Sequence, residues 1–132
     1  MPYIVRKLKV GKTDQLDRLA LASGDLYTRT LVYFWRVVRK KGIWLSPNAL
    51  MKLFGSDHLH SQSAQATIQT FCASLKSWRQ RRKIDPEARP PRRRRRFFKV
   101  IWKSSAIRVK GGWLILSNGK GNIPLNIPWR WG

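Results

Sequence analysis

The sequence predicts an α+β fold in which three helices form a small bundle and short antiparallel strands form an incomplete barrel. Three observations carry this. Apolar residues recur at three- and four-residue spacing as far as Lys83. After Pro90-Pro91 the period changes to alternation. Gly111-Gly112 and Asn118-Gly119 then supply two-residue hairpin signals.

Tyr3 to Val10 (YIVRKLKV) has β-branched residues and partial alternation, which suggest an edge or surface strand ended by Gly11. Thr13 is suited to cap the first helix, with Asp14 and Asp17 in its first turn, where the helix dipole favours negative charge. Leu16, Leu19, Leu26, Tyr27, Leu31, Phe34, Trp35 and Val38 form its apolar stripe. The stripe keeps phase across Gly24, so one unbroken helix is expected, stopped at Gly42. Ser46-Pro47 pairs an N-cap with proline at the first helical position, opening a short helix to Phe54. A third helix begins after Ser61 or Ser63, with Ala64, Ile68, Phe71, Cys72, Leu75 and Trp78 as its buried stripe and Asp85-Pro86 as its end. Pro90-Pro91 keeps the next stretch extended. Strands are expected over Phe97 to Trp102, Ala106 to Lys110, Trp113 to Ser117 and Asn122 to Ile127. Pro124 makes the last an edge or interrupted strand.

A chain of 132 residues with 42% hydrophobic residues and seven tryptophans can bury a core. Its net charge of +22 is extreme, and self-repulsion in a compact body would be relieved by a polyanion. Nucleic acid is the first candidate and a membrane surface the weaker one. No apolar run approaches the roughly 18 residues needed to span a bilayer. The single Cys72 leaves no internal disulfide, and with no signal peptide at the start the expectation is a prokaryotic cytoplasm.

More than half of the 28 Lys and Arg residues lie between Lys76 and Lys110, against only Asp85 and Glu87. Arg92, Arg93, Arg94, Arg95 and Arg96 are consecutive, and Phe97 and Phe98 follow. Dense cations gain affinity for phosphates by releasing counterions, and adjacent rings offer bases a surface to stack on. Lys76, Arg79, Arg81, Arg82 and Lys83 exceed what a helix C-terminus needs. They are therefore assigned to phosphate contact, with Arg92 to Arg96 and Lys99. Arg36, Arg39 and Lys40, beside Lys41, form a second patch. Phe97 and Phe98 cannot both face inward, so one is expected in the core and one against a base. Trp102 and Trp113 are read as core or hairpin-packing residues. His58 and His60 with Cys72 fall short of four zinc ligands, so no metal and no cofactor is expected.

Taken together these segments resemble the N-terminal part of the TnpB family, the OrfB-type accessory proteins of insertion sequences and ancestors of type V CRISPR effectors. The matching pieces are YIVRKLKV, KTDQLDRL, LYTRTLVYFWRVVRKKG, SAQATIQTFCASLKSWRQRRK, ARPPRRRRRFFKV and SAIRVKGGWLILSNGKGNIPLNIPW. They cover nearly the whole chain, and each alone is weak. The resemblance implies a wedge domain, a β-barrel of oligonucleotide-binding character, built from residues 1–11 and 97–132. A helical recognition insert would occupy residues 12–84 and a basic linker residues 85–96. It also implies that guide RNA and target DNA are held in a basic groove.

The family's RuvC-like nuclease part has no counterpart among these residues. The six carboxylates do not offer the cluster that two-metal cleavage requires, so no catalytic residue is expected. Trp129 and Trp131 would then face a nuclease domain or a second chain. The alternatives are a non-specific packaging or ribosome-associated protein, and one subunit of a split nuclease completed in trans.

Overall fold

The computed structural model describes residues 10–11, 13–56, 59–92, 97–119 and 121–128. Three helices, α1 (Asp14–Lys41), α2 (Pro47–Leu53) and α3 (Ser61–Ile84), precede three strands, β1 (Ile107–Lys110), β2 (Trp113–Leu116) and β3 (Leu125–Pro128). The fold is a small α+β arrangement. Of the expected opening strand only Val10 is described; the rest lies outside the described residues.

Thr13 caps α1 by accepting from the Leu16 N–H, and Gly42, in the left-handed region, closes it by donating to the Val38 carbonyl. Gly24 is buried within an unbroken helix. Ser46 caps α2 through the Ala49 N–H, with Pro47 opening the helix as anticipated. The cap of α3 is His60, whose Nδ1 accepts from the Gln62 N–H at 3.1 Å. This gives the histidine a structural task that its loop position did not suggest.

Contacts along the α1–α3 seam fix the direction of the pair. Ser23 meets Thr67 at 3.1 Å between hydroxyls, the Tyr27 and Phe71 rings lie 5.6 Å apart, and those of Trp35 and Trp78 5.8 Å apart. Both residue numbers rise together, so the helices run parallel. Parallel neighbours need a return crossing, and α2 lies on the connection that makes it. Leu26, Phe34, Leu50, Ile68 and Phe71 are fully buried between them. Burying large side chains of this kind stabilises a fold by about 1.5–3 kcal/mol each.

After α3 the chain turns back along the seam. The Trp78 indole N–H donates to the Ala88 carbonyl, the Phe98 N–H to the Ala20 carbonyl, and the Ser23 hydroxyl to the Lys99 carbonyl at 2.7 Å. Phe97 to Trp102 is therefore not a strand. Its backbone pairs with helix groups instead of a ladder, and the Phe98 ring packs on Tyr27 at 4.7 Å. Trp102 donates from its indole to the Ser117 carbonyl.

The sheet is an antiparallel meander in the order β1-β2-β3, with Lys110 opposite Trp113 and Leu116 opposite both Ile107 and Leu125. Gly111 and Gly112 both have positive φ (58° and 79°), the two-residue turn whose twist matches the strands. Asn118-Gly119 does not make a second such hairpin. The Asn118 amide donates to the Ile123 carbonyl and that of Asn122 to the Asn118 carbonyl, which organises a longer loop between β2 and β3. β3 begins directly after Pro124 and pairs only with β2 among the described residues, consistent with an edge. Leu116, Leu125 and Ile127 join the core, and Gln15 donates to the Ile123 carbonyl, so the sheet sits against the N-terminal end of the bundle.

Phe71 touches the rings of both Tyr27 and Phe34 at 0% exposure. Phe71→Ala should cost about 3–5 kcal/mol in a urea titration. Leu53→Ala, at a site 57% exposed, should shift the midpoint little.

Candidate nucleic-acid interface

Because α1 and α3 are parallel, their C-termini emerge at the same end of the bundle. Arg39, Lys40 and Lys41 close α1; Arg81, Arg82 and Lys83 close α3. Arg36, Lys76 and Arg79 stand one or two turns earlier, all exposed. Two aligned helix dipoles bring about one negative elementary charge to this end. The cations gathered there far exceed it. Among the described residues no carboxylate pairs with them; the ion pair that is present, Arg29 with Asp25 at 2.7 Å, lies in the middle of α1.

Beneath the cations is an aromatic cluster. Trp44 meets Phe34 at 4.8 Å and Trp35 at 5.9 Å, and Trp35 meets Trp78. The Arg79 guanidinium lies 4.8 Å from the Trp44 ring centre and that of Arg82 5.3 Å from Trp78. Such stacking steers each guanidinium while leaving its outer N–H groups available to an anion.

The helical period then splits the basic turns of α3 between two sides. Lys76, Arg79 and Lys83 recur at three- and four-residue spacing and line a groove of about 480 Å³ with Trp44 and Pro47. Thr70, Ser74, Ser77 and Arg81 follow the same spacing on another side. They line a groove of about 560 Å³ whose far wall brings Arg89 and Lys99. The Thr70 hydroxyl already donates to the Ala66 carbonyl; the Ser74 and Ser77 hydroxyls and the cations, without a carboxylate, are the donor set that sugar–phosphate oxygens require.

The anticipated residues thus fall into groups. Lys76, Arg79 and Lys83 share one groove, Arg81 and Lys99 the other, and Arg82 stacks on Trp78 one turn earlier in its own helix. Arg92 is exposed beyond the second groove, while Arg93, Arg94, Arg95 and Arg96 lie outside the described residues. Of the two phenylalanines, Phe98 turns inward and Phe97 is 46% exposed. Trp102 is half-buried as expected, but Trp113 is 47% exposed, because β2 turns it away from the helices.

Trp44, Arg89 and the hydroxyls of Thr70, Ser74 and Ser77 were not anticipated. The serine–threonine spacing on α3 was legible; the approach of Arg89 depends on the returning chain. No family model, no curated protein and no solved structure matches this chain.

Other polar groups have local tasks. Asp14 and Asp17 sit in the first turn of α1, and the Asp85 carboxylate accepts from the Glu87 N–H beyond α3. Among the described residues no cluster of His, Cys, Asp or Glu could hold a metal, and no helix is long and apolar enough to cross a membrane.

Cys72 is half-buried beside the first groove, and burial pushes its thiol above the ordinary range. The folded state thus favours the neutral thiol; its contribution to stability is present below the unfolded pKa and is lost as pH rises through the folded one. Alkylation by iodoacetamide at neutral pH should be slower for the folded chain than for the chain in urea. Equal rates would contradict the burial.

Proposed function

We propose that this chain binds nucleic acid through the basic end of its helical bundle, as the wedge and recognition part of a TnpB-like RNA-guided protein. The observation that carries the reading is the parallel packing of α1 and α3, which stacks two cationic termini over one aromatic cluster. The grooves flanking α3 supply cations and hydroxyls together, which suits a sugar–phosphate backbone better than a neutral or cationic ligand. Guide RNA and target DNA are the partners that the family resemblance supplies. The reading gives the chain binding and no catalytic group.

Engagement of about six phosphates would make affinity fall by about a thousandfold between 50 and 200 mM salt. A fluorescence-anisotropy titration with a structured RNA at several salt concentrations measures this, and a flat response would refute it. Arg79→Glu combined with Lys83→Glu should weaken binding and lower the salt slope by about two. Competition between RNA transcribed from the gene's own flank and random RNA of equal length separates guided recognition from packaging. A packaging protein would show no preference.

A further inference from the structure

We propose that the solvent-facing side of the sheet is a second nucleic-acid contact, a platform on which an unpaired base stacks against Trp113 beside Lys110 and Arg108 of the neighbouring strand. The proposal rests on the nucleic-acid reading above but uses a surface at the opposite end of the bundle. Residue alternation and register assign the two faces of the sheet, with Val109, 58% exposed, on the core side but beyond the edge of the core. Ile107, Leu114, Leu116, Leu125 and Ile127 belong to or pack on the core. The register sets Lys110 opposite Trp113, Arg108 opposite Ile115, and Pro128 and Asn126 on the other flank of those two positions. Those six therefore share the outer face.

Trp113 keeps 47% of its surface exposed there, on a strand held by the tight Gly111-Gly112 turn. Directly opposed residues of an antiparallel pair place their Cβ atoms about 4.5–5.5 Å apart, so the Lys110 side chain starts beside the indole and brings a cation within reach of a phosphate attached to a stacked base. Arg108 follows on the same strand, two residues away. Both cations are exposed, and this face has no carboxylate among the described residues.

The chemistry selects the occupant. A protein surface covering Trp113 would have to desolvate Arg108 and Lys110 as well, a cost that an uncharged partner does not offset. A nucleotide offers a flat base to the indole and a phosphate to the cations at once. Because bases inside a duplex are already stacked, the platform takes single-stranded nucleic acid.

Full-length chain titrated with a short single-stranded oligoadenylate carrying a fluorescent adenine analogue tests this. Wild type should quench the analogue. Trp113→Ala should abolish the quenching and weaken binding at least about fivefold, with the salt slope unchanged, because stacking releases no counterion. Trp113→Phe should retain most of both signals, whereas Trp113→Leu, which keeps apolar bulk without a ring, should behave like the alanine variant. Duplex DNA of the same length should bind all four proteins alike. Quenching and affinity preserved in Trp113→Ala or Trp113→Leu would overturn the platform and leave the basic end standing. Absence of any salt-dependent binding by wild type would instead remove the reading beneath it.

Discussion

The parallel packing of α1 and α3 is the constraint from which the rest of the architecture follows. Two parallel helices add their dipoles and bring both sets of unsatisfied carbonyls to one end, an arrangement that needs positive charge there. The seam that enforces it is specific. A hydroxyl pair, Ser23 and Thr67, lets the backbones approach near one end, and the rings of Tyr27, Phe34, Trp35, Phe71 and Trp78 space them apart towards the other. Reversing either helix would break this pairing and scatter the cations to opposite ends.

That packing also routes the chain that follows. Asp85 ends α3 beside the basic end, and the sheet rests at the other, so the connection must run back along the seam. Ala88, Phe98 and Lys99 are fastened to Trp78, Ala20 and Ser23 as it does so. The returning segment becomes the far wall of a groove, which is why Arg89 and Lys99 face Arg81. The core packing thereby shapes the proposed binding groove. It also concentrates like charges, whose self-repulsion a polyanion would relieve if the proposed binding holds.

Much of this was legible locally. The helices start and stop where Thr13, Gly42, Ser46-Pro47 and Asp85-Pro86 indicate, because caps act over three or four residues. The mistakes share a cause. Phe97 to Trp102 has strand-like composition, but its backbone groups found helix partners. Asn118-Gly119 has the composition of a tight turn, but the Asn118 amide reached Ile123. Trp113 has the size of a core residue, but the register of β2 turned it outward. In each case a long-range partner outweighed a local preference.

By itself the sequence determined the helix boundaries apart from the His60-capped start of α3, the change from helical to alternating period, the Gly111-Gly112 turn and the excess of positive charge, since each depends on neighbours a few residues away or on composition alone. Only the tertiary structure decided that α1 and α3 are parallel, that the basic turns of α3 divide between two grooves, and that Trp113 meets solvent on the face that carries Lys110 and Arg108. Those outcomes are set by contacts between residues distant along the chain, such as Ser23 with Thr67 and Trp113 with Pro128. The direction of a helix relative to its neighbour leaves no periodic trace in either one.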